Sequence, residues 1–274
     1  MIQVSILLPT YNGAKTIARA IESVLSQTHT AWELLVIDDG SSDGTAQVVK
    51  KYVDTDSRVR YIKNERNLGI QKTLNRGLKE AKGEYIARID DDDFWIIPYK
   101  LSAQYAYMQL HPGCVLVGTG VVVYSEDTQE LFRYILPESD ADIRKNILSK
   151  NCFTHATVLF SKQAAQECGG YGEGEETKHV EDYDLWLRLG TKGSMNNLPL
   201  YAVGFTLRAG STSGKNKTEQ FKKDIALTRK YKTNYPGYTR AIIRGTLRSW
   251  LYQFFHLIPK DMQESFLGWY KKNW

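Results

Sequence analysis

The sequence predicts an α/β fold in which a Rossmann-like, mostly parallel β-sheet is flanked by helices. Three observations support this prediction: strand and helix patterns alternate over residues 1–93, the strands are short continuous apolar runs, and polar clusters follow them. Continuous apolar runs are typical of strands that are buried on both faces of a parallel sheet. The length of 274 residues suits one large domain with an appendage.

Four strands are predicted in the first third of the chain, at residues 4–9, 33–37, 59–62 and 85–89. Helical spacing of apolar residues lies between them, as at Ile17, Ile21 and Val24. Repeated strand–helix units place the carboxyl ends of parallel strands at one edge of the sheet, where ligands bind. We therefore expect one crevice to be lined by the polar clusters at residues 9–13, 38–43 and 90–93.

The remainder of the chain gives mixed patterns. Residues 115–124 and 156–160 are predicted as strands, residues 182–189 as a helix, and the chain from about residue 218 as helical. No run of 18 apolar residues predicts a transmembrane helix. The N-terminus lacks the features of a signal peptide. Because three widely spaced cysteines fit neither a disulfide framework nor a metal knuckle, we expect a cytoplasmic protein.

Charge is distributed unevenly, although the whole chain carries a net charge of only +5. Residues 215–274 contain 13 Lys and Arg against 4 Asp and Glu, a net of +9, which leaves residues 1–214 at −4. A basic segment suits an anionic membrane surface or nucleic acid. Because no zinc-finger spacing or RNA-recognition signature is present, nucleic acid is not an expected partner.

The basic segment also has an amphipathic pattern. Arg240, Arg244 and Arg248 form one row, and a separate apolar row contains Ile243, Leu247, Trp250, Leu251, Phe254, Phe255 and Ile258. Basic helices rich in Trp and Phe lie in membrane interfaces, so we predict peripheral attachment to the inner face of the cell membrane. Packing on the rest of the chain, or in an oligomer through these helices, remains an alternative.

Two acidic clusters follow predicted strands. Four aspartates occupy residues 90–93, where like charges about 4 Å apart repel by roughly 1 kcal/mol even in water. Their hard oxygen atoms suit Mn²⁺ or Mg²⁺, which bind through one or two carboxylates together with substrate phosphates. A solvated acidic loop is the alternative. Asp38 and Asp39 can bind ribose or base, or can form a turn and helix cap.

Other candidate residues lie later in the chain, and two nucleotide motifs are absent. Asp182, after Glu181, is a candidate general base, although a carboxylate at a helix start also stabilises the helix. His155 is either a functional residue or an ordinary core or loop histidine. Neither GxGxxG nor GxxxxGK[ST] is present, which excludes the dinucleotide fingerprint and the P-loop.

In this order, the segments resemble the inverting glycosyltransferases of family 2, which have the GT-A fold. The resemblance is carried by VSILLPTYNG (4–13), ELLVIDDGSSDGT (33–45), RNLGIQKTLNRGLKEAKGEYIARIDDDD (66–93) and VEDYDLWLRL (180–189). It extends over about residues 1–215. The QxxRW motif of processive members is absent, and Arg208 is not followed two residues later by the histidine that many members have.

The resemblance implies roles for particular residues. The nucleotide-binding candidates are Pro9, Tyr11, Asp39, Asn67, Lys72 and Asp91, with Asp91 near the ribose. Asp92 is implied to hold the divalent metal, Mn²⁺ or Mg²⁺, and Asp182 to be the catalytic base. Glu181, His155 and Arg208 are candidates for contacts with the acceptor or the diphosphate.

The expected activity is nonprocessive transfer of one sugar from a nucleotide-sugar donor, UDP being expected, to an acceptor hydroxyl with inversion. The resemblance implies bacterial surface polysaccharide assembly on a saccharide or polyprenyl-diphosphate-linked acceptor. We expect a nucleotide-binding half at residues 1–93, an acceptor-binding half at 94–215 and a helical extension at 216–274. A sugar nucleotidyltransferase, a noncatalytic nucleotide-sugar-binding module and a glycosidase remain alternatives.

Overall fold

A computed structural model describes residues 1–207 and 217–255, with the side chains of 218–252 in the second part. The strands are β1 (Val4–Thr10), β2 (Trp32–Asp38), β3 (Val59–Lys63), β4 (Tyr85–Arg88), β5 (Phe94–Trp95), β6 (Cys114–Tyr124), β7 (Glu130–Tyr134), β8 (Leu159–Ser161) and β9 (Ser194–Thr206). The helices are α1 (Ile17–Leu25), α2 (Thr45–Val53), α3 (Ile70–Glu80), α4 (Lys100–Leu110), α5 (Asp140–Asn146), α6 (Lys162–Glu167), α7 (Glu181–Leu189), α8 (Lys217–Lys230) and α9 (Tyr238–Phe255).

One sheet contains all the strands of the described residues, in the order β3-β2-β1-β4-β8-β6-β9-β5, with β7 paired to β6. Strands β1 to β4 pair in parallel, as do β6 and β9, while β8 lies antiparallel to both β4 and β6. All seven residues of β1 and of β2 are buried, as their apolar runs predict. The predicted α/β fold with a mostly parallel sheet is confirmed.

The sheet has a separate apolar core on each face. Alternate residues of β1 point to opposite faces: Leu7 lies in one core, while Ile6 and Leu8 lie in the other. Helices α1, α2 and α4 cover the Ile6 face, and α3, α7 and α8 cover the Leu7 face. Leu227 of α8 is buried in the same core as Leu7 of β1, so α8 packs against the face of the sheet that contains the predicted nucleotide-binding strands.

The structure differs from the sequence prediction in the second half of the sheet. The predicted strand at residues 156–160 begins instead as a 3₁₀ turn, His155–Thr157, and β8 starts only at Leu159. Thr157 closes this turn, because its backbone N–H and its hydroxyl both donate to the Thr154 carbonyl. The short strand β5 and the exposed strand β7 carry no strong apolar pattern, and the sequence analysis missed them together with β9.

The C-terminal part is helical, as predicted, in α8 and α9. Neither these helices nor any other described helix is long and apolar enough to cross a bilayer. Ile243, Leu247 and Trp250 are exposed on α9, whereas the side chain of Arg248, the last residue of the predicted arginine row, is only 12% exposed. The side chains of Phe254 and Phe255, all of Ile258, and the predicted boundary at residues 215–216 lie outside the described part.

Candidate active site

A cleft of about 810 Å³ lies at the carboxyl ends of the central strands. The cleft is lined by eight of the residues that the sequence analysis selected: Pro9, Tyr11, Asp39, Asn67, Asp91, His155, Glu181 and Asp182. They come from segments as far apart in the chain as β1 and α7. Because β2, β1, β4 and β8 are neighbours in the sheet, residues that follow β2 and β1 lie at one side of the cleft. Those from the β8 and α7 region lie at the other.

Asp39 organises one side of the cleft. Its Oδ1 accepts hydrogen bonds from Asn64 Nδ2 at 2.7 Å and from the Leu68 backbone N–H at 2.8 Å, and its Oδ2 accepts from Gly69 N–H at 2.9 Å. The carboxylate therefore fixes the loop before α3, which includes Asn67. Gly40 has φ +79°, and a Cβ there would lie 2.6 Å from a backbone atom of this loop. A glycine is thus required for the close approach.

The acidic turn after β4 lies in the middle of the cleft, where Asp90 and Asp91 contribute to the wall. Thr10, at the end of β1, donates a hydrogen bond to Asp91 Oδ2 at 2.5 Å, and the buried Arg88 donates to Asp90 Oδ1 at 2.6 Å. Burial, together with repulsion from Asp92 and Asp90, raises the pKa of Asp91 to about 6. Burial and the neighbouring carboxylates therefore both disfavour the charged form of Asp91.

This turn offers donors that fit a divalent cation. Asp90 and Asp91 present hard carboxylate oxygens to the cleft. A cation would offset the repulsion from Asp92 and Asp90, which adds to the effect of burial on the Asp91 pKa. No group of three or more His, Cys, Asp or Glu residues able to hold a metal is present within residues 1–207 and 217–255. Two carboxylates completed by substrate phosphate oxygens are nevertheless a usual Mg²⁺ arrangement, so the residues fit the metal.

Glu181 and Asp182 form the first turn of α7 at the other side of the cleft. Asn151 Nδ2 donates to Asp182 Oδ2 at 2.9 Å, which holds this carboxylate in place. Burial is the main cause that raises the pKa of Asp182 to about 6, with a contribution from the negative charge of Asp224. Burial and the neighbouring Asp182 raise the pKa of Glu181 to about 7. Raised carboxyl pKa values near neutrality are typical of general bases.

His155 lies between these two regions. Its Nε2 is 3.0 Å from the Tyr171 hydroxyl, and its ring packs edge-on against Trp186 at a centroid distance of 5.7 Å. Burial and the nearby Arg88 guanidinium hold the pKa of His155 well below its usual value. His155 is therefore neutral at physiological pH, which suits a hydrogen-bonding role better than a role as a cation for the diphosphate.

Three of the selected residues are not among those that line the cleft. Lys72 is exposed on α3, between Gln71 and Thr73, which both line the cleft. Asp92 lies half-buried in the acidic turn, where its backbone carbonyl accepts a hydrogen bond from Arg19 at 3.0 Å. Arg208 lies outside the described residues.

Several lining residues escaped the sequence analysis. Arg88 is 1% exposed beneath the cleft, and a lone arginine in the apolar segment YIARI was the available signal for it. Asn151 follows no strand pattern, so nothing in the sequence indicated that it would reach Asp182. Helix α8 adds Gln220, Phe221 and Asp224 to the wall, from a segment that the resemblance does not include.

Comparison with known proteins relates this cleft to sugar transfer. The family model described as Glycosyl transferase family 2 matches residues 5–169, which is more than half of the chain. The amylovoran biosynthesis glycosyltransferase AmsE of Erwinia amylovora is 32% identical over 266 residues, which are 95% of this chain and 96% of AmsE. The Escherichia coli protein WfgD, a UDP-Glc:alpha-D-GlcNAc-diphosphoundecaprenol beta-1,3-glucosyltransferase, is 32% identical over 224 residues, 80% of this chain and 83% of WfgD.

The fold is similar to that of a solved structure. S. aureus TarS 1-349 in complex with UDP-GlcNAc superposes with a TM-score of 0.70 and 18% identity, covering 96% of this chain and 78% of that one. At that identity the likeness concerns the fold alone, and the fold is the GT-A fold of glycosyltransferases. Together with the family match and the two relatives above 30% identity, it shows that this chain is an enzyme of glycosyl transferase family 2.

Proposed function

We propose that this enzyme transfers one sugar from a UDP-sugar to a hydroxyl group of a lipid-linked saccharide, with inversion, during bacterial surface polysaccharide assembly. WfgD, by its name, uses UDP-Glc and a GlcNAc-diphosphoundecaprenol acceptor, and AmsE acts in amylovoran biosynthesis. TarS has been solved with UDP-GlcNAc. These names support a UDP-sugar donor and an acceptor carried on a polyprenyl diphosphate.

One observation carries the proposal: a carboxylate with a raised pKa, Asp182, shares a single cleft with the polar ends of β1, β2 and β4. Inverting transfer needs a base on the acceptor side and a nucleotide site on the donor side, within one sugar of each other. The sheet order supports this arrangement, because β1 and β2 lie on one side of β4 and β8 lies on the other.

The donor side of the cleft is suited to a nucleotide. In our proposal Pro9, Tyr11 and Asn67 contact the base and ribose, while Asp39 keeps the loop of Asn67 in place. Tyr11 is half exposed, so its ring is available to a nucleotide base. Asp91, which Thr10 orients, lies near the ribose in this arrangement. Holding the donor in one orientation supplies the entropic part of catalysis.

The turn at residues 90–92 would hold the divalent cation in this proposal, with Asp90 and Asp91 lining the cleft and Asp92 following in the same turn. When bound, the cation supplies Lewis-acid neutralisation of the charge that develops on the diphosphate. Arg88 keeps Asp90 in position through the 2.6 Å hydrogen bond. Since Arg88 is almost completely buried, this carboxylate is held on a rigid base.

On the acceptor side, we propose that Asp182 removes the proton of the attacking hydroxyl group. The hydroxyl oxygen then forms a bond to the anomeric carbon as the bond to the diphosphate oxygen breaks, and this single displacement inverts the configuration. The 2.9 Å hydrogen bond from Asn151 orients the carboxylate for this step. General-base assistance of this kind contributes about 10²- to 10⁴-fold to the rate.

A panel of nucleotide sugars tests the proposed function. Purified full-length protein is incubated with Mn²⁺ and each of several UDP-, GDP- and dTDP-sugars, with and without a synthetic polyprenyl-diphosphate-linked GlcNAc acceptor. We expect acceptor-dependent release of UDP and a β-linked product from an α-linked donor. A nucleotidyltransferase would instead need added inorganic diphosphate, and would convert the nucleotide sugar to a nucleoside triphosphate and a sugar 1-phosphate without any acceptor. Tight donor binding without turnover would indicate a binding module.

The pH dependence of turnover follows from the raised pKa of Asp182. The base acts only when ionised, so activity falls as the pH decreases through about 6, the pKa of this carboxyl group. An unperturbed aspartate would keep activity down to about pH 4. The measurement is kcat/KM for UDP release between these values, with circular dichroism at each pH as the control for folding. A limb near pH 4 would contradict the role of Asp182.

The exposed face of α9 supports peripheral membrane attachment. Ile243, Leu247 and Trp250 lie at i, i+4 and i+7 and are 62%, 42% and 56% exposed, on a segment with a net charge of +9. Apolar area and positive charge both favour binding to anionic lipid at the inner face of the membrane.

Vesicle flotation tests this attachment. A triple variant with serine at Ile243, Leu247 and Trp250 is expected to bind anionic vesicles with an affinity lower by about tenfold or more. Each apolar side chain that is buried in the membrane contributes about 1.5–3 kcal/mol to the free energy of binding. The matched control replaces two exposed leucines elsewhere, Leu110 and Leu131, with serine. Unchanged flotation of the triple variant would contradict the proposal, and a change in its sedimentation instead would indicate an oligomer interface.

A further inference from the structure

Helix α8 forms part of the cleft wall, although it follows all the segments that resemble the family. It contributes Gln220, Phe221 and Asp224 to the lining of the cleft. Gln220 and Lys223, on either side of Phe221, donate hydrogen bonds to the backbone carbonyls of His179 and Lys178, just before α7. The family model ends at residue 169, so nothing in that match accounts for a carboxylate from α8 at this place.

Several contacts fix the position of α8 relative to α7. Asp184 of α7 is 2% exposed and accepts hydrogen bonds from Lys230 Nζ and from the Tyr231 hydroxyl, each at 3.2 Å. Thr228 donates to the Leu148 carbonyl at 2.8 Å. Because Asp184 belongs to the same first turn as Asp182, the two helices are held together close to the proposed base. Asp224 is therefore in a defined position and not on a mobile surface helix.

Arg248 of α9 binds Asp224. The Arg248 Nη2 atom lies 2.5 Å from Asp224 Oδ2, and the side chains are only 12% and 23% exposed. The guanidinium group also lies over the Phe221 ring, 4.5 Å from its centre. Phe221 packs edge-on against Tyr252 at 5.4 Å. An ion pair with this degree of burial is held by its surroundings, and its two charges are screened less by water than those of a surface pair.

The charge of Asp224 reaches the proposed base. Asp224 raises the pKa of Asp182, and it also raises the pKa of Tyr183, on which Arg248 acts in the opposite direction. The other titratable or charged groups that line this side of the cleft, from every neighbouring element, are Arg88, His155, Lys178, His179 and Glu181. Burial is the main cause of the raised pKa of Asp182, and the negative charge of Asp224 adds to it.

We propose that Asp224, held by Arg248, is a positioning residue that acts on the catalytic base Asp182 through its charge. The inference rests on the proposed function, since it requires Asp182 to be the base. In this arrangement Asp224 keeps Asp182 basic enough to take a hydroxyl proton. Arg248 partly neutralises Asp224, so that Asp182 is still ionised at neutral pH. A base is most effective when its pKa lies near the working pH.

The test is the acid limb of the pH profile of kcat/KM in charge variants. Asp224→Asn removes the negative charge and leaves Arg248 in place, so the limb is expected to move to lower pH. Arg248→Met leaves Asp224 without its cation, so the limb is expected to move to higher pH. Arg248→Lys keeps the charge and is expected to restore a limb close to that of the unmodified enzyme.

Opposite shifts cannot arise from loss of packing alone, which would lower stability in both variants without moving the limb. Limbs that coincide with that of the unmodified enzyme, or that move in the same direction, would overturn the inference.

Asp182→Asn serves to separate the two proposals. If it remains active, the base assignment fails and this inference with it; if it is inactive while the limbs do not move, only the role of Asp224 is wrong. Calorimetric UDP affinity is expected to be unchanged in every variant.

Discussion

Asp182→Asn is expected to lower the turnover number of sugar transfer by about 10²- to 10⁴-fold while leaving donor binding intact. The amide keeps the size of the carboxylate and can still contact Asn151 after a side-chain rotation, so the fold around α7 is retained. It cannot accept a proton from the acceptor hydroxyl. The measurement is steady-state UDP release with acceptor present, together with calorimetric titration of UDP into the variant.

A matched control for this substitution is Asp142→Asn. Asp142 also lies in the first turn of a helix, α5, where it is exposed and accepts a hydrogen bond from Ser139 at 2.7 Å, but it does not line the cleft. Any loss of activity that the two variants share would reflect a helix-capping effect. Near-normal turnover of Asp182→Asn would show that another group removes the proton, with Glu181 the first alternative.

Removal of divalent metal is the second change with a large expected effect. Chelation with EDTA should reduce transfer by at least about 10²-fold, because a metal contributes several kcal/mol to neutralising the leaving diphosphate. Mn²⁺ or Mg²⁺ added in excess should restore the rate. The binding itself can be followed without catalysis, by calorimetric titration of Mn²⁺ in the presence of UDP.

Substitutions in the acidic turn identify the metal site. The double variant with asparagine at Asp90 and Asp92 should lose Mn²⁺ binding and activity together, because Asp90 lines the cleft and Asp92 is the residue implied to hold the metal. Asp127→Asn, in an exposed loop after β6, is the control for the loss of one negative charge. Full activity in EDTA would mean that side chains of the protein neutralise the diphosphate, and Arg88, buried beside Asp90, would then be the first residue to examine.

The nucleotide-binding half of the sheet was predictable because its signals are local. The runs in β1 and β2 are apolar at every position that must be buried, and each ends at a polar turn. From the parallel order alone it followed that Asp39 and Asp91 would lie at the same edge. The strand at residues 156–160 was partly wrong, since a short apolar run does not distinguish a strand from the 3₁₀ turn that Thr157 closes.

The functions of single side chains were less predictable than their location. Arg248 belongs by spacing to a row of arginines on α9, yet it is buried against Asp224. Lys72 lies between two residues that line the cleft but is itself exposed, since adjacent residues of a helix point in different directions. Periodicity describes which residues share a face. It does not say which neighbouring element that face will meet.

The sequence by itself determined the α/β fold, the edge of the sheet where the chemistry lies, and the acidic turn that suits a divalent cation, because each depends on residues that are near one another in the chain. Only the tertiary structure decided that Arg88 lies under the cleft, that Asn151 holds Asp182, and that α8 brings Asp224 to the base. Asn151 and Asp224 lie 31 positions before and 42 positions after Asp182 in the chain, so they line the same cleft only when the helices pack on one face of the sheet.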